Sequence, residues 1–510
     1  MAVWFNLIGL LIIIFLVMYY LGLDLGSSSI KGALINVATN ETIGIAQYPD
    51  NEMPIIAPNV NWAEQDPNIW WDNTLMLLKR LSEKTGVSMN EVKGIGVAYQ
   101  MHGLVVVDKD QNVLRPSIIW CDSRAVEIGN RLHKNFGEAK CGDHLLNSPG
   151  NFTFSKLVWV KENEPDLFDK IDKIMLPGDF IAMKLSGNVA TTKSGLSEGM
   201  MWDFKNDTPA YWMFEELGIS TELIPTIVDT FSQQAHVSKL ASAETGLSSE
   251  TPICYRAGDQ PNNALSLNVL ESGDIAATGG TSGVVYAVTD SIKTKESLRI
   301  NSFAHVNYTK EKPLVGKLLN INGAGILYSW MRREIGKQCP YTEMNDLASD
   351  VSIGSDGLVV LPFGNGAERM LNNQSYGSTI RHLNFNLHST SHLYRAALEG
   401  IAFSFVYGIN ILKDDGVDIK IIKAGNDNLF RSKIFSETIA TLVEAKIQIV
   451  DTTGAVGAAK AAAYGNGAYD SIRTALNTNK VEQTYEPQSN RKEYMEAYNN
   501  WLSELKEIYL

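Results

Sequence analysis

Cysteine is scarce: the 510 residues hold four, Cys121, Cys141, Cys254 and Cys339, with no CxxC and no metal-ligand spacing among them. That argues against a thiolate metal framework and points to a reducing, cytoplasmic setting with inert thiols. Basic clusters are lacking too. Against 57 Asp and Glu there are 44 Lys and Arg, a formal charge of −13 and a pI near 5.2. No Lys/Arg run with interleaved aromatics occurs, which argues against nucleic acid as a partner. An anionic small molecule would have to be held by backbone N–H groups and a metal. With 45% apolar and 20% charged residues, the chain reads as a soluble globular protein, long enough for two or more domains with full cores.

A leader signature is also missing. Residues 3–17, VWFNLIGLLIIIFLV, are apolar, but no Lys or Arg precedes them and no small-residue cleavage site follows. Tyr19–Gly26 reads as a buried strand entering a loop, so a membrane helix ending at Val17 would have no linker to reach it. Residues 1–17 are therefore expected to lie outside the fold, which begins at Met18, and membrane attachment is disfavoured.

What the sequence does contain centres on Ile253–Val285, ICYRAGDQPNNALSLNVLESGDIAATGGTSGVV. Ile253-Cys254-Tyr255 reads as a buried strand ending at Gly258-Asp259-Gln260, and Pro261 opens a helix over Asn262–Leu270. Two apolar runs, Ile275–Ala277 and Val284–Tyr286, then flank Thr278-Gly279-Gly280-Thr281-Ser282-Gly283. Such a tip offers N–H groups and hydroxyls to an anion with no bulky side chains in the way. Taken singly, an Asp before a helix is an N-cap and a Gly-rich tip is a turn. A second loop of the same build changes the balance: Tyr19–Leu25 runs through Gly26-Ser27-Ser28-Ser29 and returns as strand beyond Lys31-Gly32. A strand, not a helix, follows, so this is neither a Walker loop nor a dinucleotide fold. Two matched loops predict two halves of similar design gripping the phosphates of one nucleotide, with Asp24 aimed at a metal-bound phosphate and Asp259 as a base for phosphoryl transfer.

Other stretches fall around these. Trp62 and Glu64, in WAEQDP, could face a polyol or simply cap and staple the amphipathic helix Asn68–Thr85. Val92–Ala98 is a strand ending in Tyr99-Gln100-Met101-His102-Gly103, polar groups on the ligand side of an α/β sheet. Leu104–Asp108 and Asp110–Leu114 read as a hairpin, and Ile118–Trp120 as a strand. Residues 125–250 are expected to be mainly helical and to wall the pocket. Later come the helix Ile321–Glu334, the strand Leu358–Leu361 with a Gly-rich exit, the helix His392–Val406, the strand Ile419–Lys423 ending in Ala424-Gly425-Asn426-Asp427-Asn428, the small-residue helix Gly454–Ala463, and a surface helix at Asn490–Leu510.

With these motifs in view the chain resembles the FGGY family of carbohydrate kinases, and within it the xylulokinases, from Tyr19 to about Ala463. The matching segments are LGLDLGSSSIKG, WAEQDP, QMHG, AGDQ and ATGGTSG, of which QMHG discriminates best. The resemblance implies two actin-like (ribonuclease H-like) α/β domains, over 18–270 and 271–510, with ATP and sugar in the cleft between them. It implies ATP-dependent phosphorylation of D-xylulose to D-xylulose 5-phosphate, with ATP and Mg²⁺ required. Asp259 becomes the base, and Asp24 the acid near Mg²⁺. Gln100, Met101, His102, Trp62, Glu64 and Gln260 face the sugar. Gly26, Ser27, Ser28, Ser29, Lys31, Gly279, Gly280, Thr281, Ser282, Gly425 and Asn428 face the nucleotide. Three departures stand out: Gln260 where many relatives have Asn, the variant segment Gly364–Arg369, and an adenine-side glycine pair reduced to Ala424-Gly425. Rival readings are a kinase for another ketose or polyol (ribulose, glycerol, gluconate) and a non-catalytic actin-like ATPase. A homodimer stays open.

Overall fold

The computed structural model describes residues 18–366, 368–426 and 429–509; the 1–17 extension and the expected contact Asn428 lie outside them. In the first half, β1 (Tyr19–Leu25), β2 (Ile30–Asn36) and β3 (Glu41–Tyr48) form an antiparallel meander. Helix α1 (Pro67–Thr85) follows, its N-cap Asp66 accepting from the Asn68 N–H. β4 (Val92–Tyr99) then lies parallel to β1. Three helices matter in the connection that follows: α2 (Thr153–Asn163), α3 (Pro177–Ser186) and α4 (Lys193–Glu198). β5 (Phe231–His236) pairs antiparallel with β6 (Pro252–Gly258), which runs parallel to β4 and ends in α5 (Asp259–Ser266). The sheet order is β5-β6-β4-β1-β2-β3.

The second half repeats the plan. β7 (Asp274–Gly279) and β8 (Gly283–Thr289) form the second hairpin, and β9 (Asn301–Ala304) and β10 (Val315–Ile321) extend it. After α6 (Gly325–Trp330) and the 25-residue α7 (Thr390–Asp414), β11 (Ile421–Gly425) lies parallel to β7. Helix α8 (Lys433–Val443) leads to β12 (Ile447–Asp451), parallel to β11, and then α9 (Gly454–Gly465). β13 (Lys480–Tyr485) closes that edge, and α10 (Arg491–Tyr509) ends the described chain. The order is β9-β10-β8-β7-β11-β12-β13. In both sheets a hairpin leads, two parallel strands follow, and a helix leaves the last of them. The parallel strands read as near-continuous apolar runs because both faces are covered.

One face of the first sheet packs on Trp70, Leu77, Leu78 and Leu81 of α1. The other is covered by α9, from the second half, through Ala455, Ala458, Ala459 and Ala462. Contact there is backbone to backbone: a Cβ on Gly22 would stand 1.9 Å from the Ala455 carbonyl oxygen, and one on Gly96 2.1 Å from that of Ala458. The small residues thus set the distance between helix and sheet. Helix α7 is apolar enough to cross a membrane by length and composition, but its apolar window is 83% buried in the core of the second half.

Several boundaries differ from the sequence reading. α5 starts at Asp259 itself, since Pro261 is tolerated in a first turn, and stops where Asn268 takes a positive φ of 56°. The 104–114 hairpin shrinks to a Val107–Val113 bridge because the Asp108 carboxylate captures the N–H groups of Asp110 and Asn112; Val105–Val107 pairs with Lys173–Met175 instead. Ile321 ends β10, and the turn at Gly323 (φ 79°) delays helix α6 to Gly325. The polar strand β5 had no apolar signal, as suits a sheet edge. Helix α10 is more than a surface clasp, for Trp501 is buried and its indole donates to the Val360 carbonyl at 3.0 Å.

Candidate active site

The candidate site side chains gather where the parallel strands of both halves end, as expected of an α/β sheet. Asp24 is the penultimate residue of β1 and Asp259 follows β6. Asn262, one turn into α5, donates to the Gly454 carbonyl at the start of α9 at 3.0 Å. A Cβ on Gly454 would meet Asp24 Oδ2 at 2.5 Å, so the first residue of α9 must be glycine for this carboxylate to sit there. Asn263 reaches Thr278 of the second loop, Nδ2 to Oγ1, at 3.3 Å. Asp24, Asp259 and both loops therefore share one cleft.

Burial holds both acids away from the ionised form, and at Asp259 the Asp24 charge adds to it. Burial, then the Asp24 charge, push Asp259 up to about 7, partly offset by the N–H and side chain of Gln260. Asp24 is raised by burial against the pull of Lys31, which faces it across the hairpin register. A carboxyl poised near neutrality is what a general base at physiological pH needs.

The 100–103 segment is clamped from several sides. The Gln100 N–H donates to the Leu25 carbonyl at 2.7 Å. Its Nε2 donates to Gln65 Oε1 at 3.2 Å, and Gln65 Nε2 donates to the Ser27 carbonyl at 2.7 Å, tying this segment to the first loop. Gln100 Oε1 is buried with no partner among the described residues. Met101 is buried. His102 sits at φ 63°, a left-handed conformation costly for a non-glycine residue. Its Nδ1 lies 2.9 Å from the Glu198 carbonyl. A carbonyl only accepts, so Nδ1 carries the hydrogen and Nε2 is the acceptor. Burial, then Lys156, hold the ring neutral, pushing it down to about 3. Lys156, wholly buried, donates to the carbonyls of His102 (2.8 Å) and Ile119 (3.0 Å).

Trp62 and Glu64 flank an arginine. Arg124 stacks 3.7 Å from the Trp62 ring centroid and 4.8 Å from that of Trp159. It pairs with Glu64 at 2.7 Å and with Asp122 at 2.6 Å, and Arg115 shares Glu64 Oε1 at 2.5 Å. The Glu64 carboxylate is thus engaged by two guanidiniums.

The loops differ in support. In the first, the Gly26 N–H closes on the Ser29 carbonyl at 3.1 Å and the Ser28 carbonyl accepts from Met53 at 2.8 Å; the indole of exposed Trp120 reaches Ser27 Oγ at 3.4 Å. In the second, Gly280 and Thr281 carbonyls accept from Gly325 and Ile326 at 2.9 and 3.0 Å, so the N-terminus of α6 anchors the tip. No atom lies within 3.7 Å of a Cβ position on Gly280, which leaves that face open to a ligand. Ser282 is exposed and Gly425, ending β11, half-buried. Among the described residues no group of three or more His, Cys, Asp or Glu gathers to hold a metal. One or two carboxylates beside nucleotide phosphates suit Mg²⁺ nonetheless, and Asp24 fits that donor role.

Sequence reading missed Asn262, Asn263, Gly454, Lys156, Arg124 and Glu198. A lone Lys within FTFSKLVWV and a lone Glu before GMMW were the available signals; each marks a charge in apolar surroundings.

Comparison with known proteins places this arrangement. The N-terminal domain profile of the FGGY family of carbohydrate kinases matches residues 19–266 and its C-terminal domain profile 275–465. The xylulose kinase of Bacillus subtilis (strain 168) is 26% identical over 471 residues, 89% of each chain. The crystal structure of a xylulose kinase from Rhodospirillum rubrum superposes with a TM-score of 0.86 at 24% identity, covering 96% of this chain and 99% of the other. Plasmodium falciparum glycerol kinase with ADP gives a TM-score of 0.86 at 18% identity, with 97% and 99% covered. At such identities the structural likeness establishes the fold.

Proposed function

This chain belongs to the FGGY family of carbohydrate kinases, and from that premise we propose that its sugar is D-xylulose, phosphorylated by ATP to D-xylulose 5-phosphate in the cytoplasm. It is a two-domain sugar kinase of the actin-like fold, and the sequence boundary we favour is 18–270 and 271–510, with α9 packing back across it. The observation that carries the mechanism is the position of Asp259, at the head of α5 between the 100–103 segment and the second loop. Xylulose is favoured by QMHG and by the xylulose kinases among its relatives.

In this reading Asp259 takes the proton from the attacking sugar hydroxyl, a contribution on the order of 10²–10⁴-fold. Gln100, Met101, the His102 Nε2 lone pair and Gln260 orient the ketose, and Glu64 serves by fixing Arg124 against Trp62. Gly26–Ser29 and Lys31 on one side, and Gly279–Ser282 on the other, hold the phosphates, with Gly425 at the adenine end. When bound, Mg²⁺ at Asp24 would offset charge on the transferring phosphoryl group. Approach of the two halves would exclude water as a competing acceptor.

The test is ADP release with a panel of pentuloses, hexuloses, gluconate and glycerol. Selectivity for D-xylulose is expected; a preference for glycerol or gluconate would reassign the substrate within the family, and a sugar-independent ATPase would discard the mechanism. Lys156→Met checks the sugar segment separately. It strands two carbonyls, one of them on strained His102, at a cost of about 1–3 kcal/mol. The sugar KM should rise on the order of tenfold while the ATP KM holds; equal change in both would dissociate Lys156 from the sugar.

A further inference from the structure

Glu198 ends α4 beneath the sugar segment and is only 1% exposed. Its main-chain carbonyl accepts the His102 Nδ1–H. Its carboxyl faces the turn that carries the base: a Cβ on Gly258 would stand 2.2 Å from Glu198 Oε2 and 2.6 Å from Met101 Cγ. Glycine before Asp259 is thus what makes room for this side chain. No hydrogen bond of good geometry reaches either carboxyl oxygen, though the Tyr99 hydroxyl and the His102 N–H lie close enough to pull weakly toward the charged form, and among the described residues no ion pair reaches it. The nearby cations are committed: Arg256 to Asp179 (3.0 Å), the Ala190 carbonyl and Gln234, and Lys156 to two carbonyls.

From this geometry we infer that Glu198 is a positioning residue of the sugar site, held as an uncharged carboxylic acid that seats Gly258 and Met101 beside the base while its carbonyl fixes the His102 tautomer. A buried carboxylate with no cation beside it is costly, and burial with the neighbouring acids outweighs the Tyr99 hydroxyl and the His102 N–H, so the acid form is the one its surroundings favour. The groups facing it agree: Tyr99 of β4, Asp179 of α3, Asp259 of α5 and Tyr286 of β8 supply no positive charge, and Arg256 of β6 is neutralised by Asp179. Burial, then the Asp259 and Asp179 charges, raise Glu198 well above the usual carboxylate range. With no cation to stabilise its charge, Glu198 is held neutral beside the base. An ionised Glu198 would place a second negative charge under the base and the segment that holds the ketose.

This rests on Asp259 as the base, so the test separates the two. In infrared difference spectra of the resting protein, wild type minus Glu198→Gln should show the carbonyl band of a protonated carboxylic acid at neutral pH, whatever Asp259 does. Glu198→Gln, uncharged and of the same shape, should keep sugar kcat/KM within about threefold at pH 7 and lose an alkaline decline present in the wild type. Glu198→Ala should raise the sugar KM on the order of tenfold with the ATP KM unchanged. A missing band, or superimposable pH profiles for wild type and Glu198→Gln, overturns the inference. Activity retained in Asp259→Asn would overturn the base assignment instead.

Discussion

Asp259→Asn is expected to lose sugar-dependent ADP release on the order of 10²–10⁴-fold and to melt at a higher temperature than the wild type. Both follow from one cause. Burial and Asp24 hold the folded-state carboxyl near pH 7 against 3.8 for the free side chain. For a carboxyl so raised, the neutral form favours folding: its contribution is complete below about pH 4 and is lost as pH rises through about 7. At pH 8 the ligand-free protein therefore carries an ionised Asp259 that opposes folding, by on the order of 2–4 kcal/mol. Asparagine keeps the shape without the charge, so the melting temperature should rise by a few degrees, and the gain should vanish at pH 4. In the wild type, sugar kcat/KM should fall about tenfold per unit below pH 7 as the base is protonated. A variant with more than a tenth of wild-type turnover, or one less stable at pH 8, would falsify the assignment. Strained or desolvated groups at an active site commonly trade stability for activity in this way.

Gly22→Ala should be among the most destabilising single-methyl changes available to this chain. The added carbon would stand 1.9 Å from the Ala455 carbonyl oxygen and 2.5 Å from the Ala459 nitrogen, both backbone atoms of α9. A side chain could rotate aside; a helix backbone can only move as a whole. Overpacking of ordinary cores costs about 1–3 kcal/mol, and this contact belongs at or above the upper end. Function should suffer as well, because Gly454 at the head of the same helix borders Asp24 and is held by Asn262. Lower denaturation midpoint, higher KM for both substrates and lower kcat are expected together. Gly142→Ala, in the helix Glu138–His144 with nothing within 4 Å of its Cβ position, is the control and should be neutral. Equal midpoints for the two variants would mean that α9 does not set the spacing of helix and sheet.

Much of the candidate site's placement was legible in the residues themselves. Asp24 and Asp259 stand at the ends of apolar runs, and a strand end delivers its last residues to one edge of a sheet whatever the rest of the chain does. The Gly/Ser/Thr tips were legible for a similar reason: two strands joined by three or four small residues have few ways to turn. Two such units predicted two like halves, and the matching sheet orders follow. Glu64 was less legible. Its spacing allowed a polyol contact, but the two guanidiniums that engage it come from Arg115 and Arg124, residues no local pattern could bring there.

The sequence by itself determined the strand ends, the loop chemistry and the repeated plan, since these depend on side-chain alternation and on where glycine and aspartate interrupt it. Tertiary structure alone decided the rest. That α9 would cross to the first sheet, that Lys156 would lie buried with its ammonium on two carbonyls, and that Glu198 would lie buried beside the base with no cation are choices among distant neighbours. Burial is a property of the packed chain, and the ionisation of a carboxyl follows burial and neighbouring charge; neither is written in the residues on either side of it.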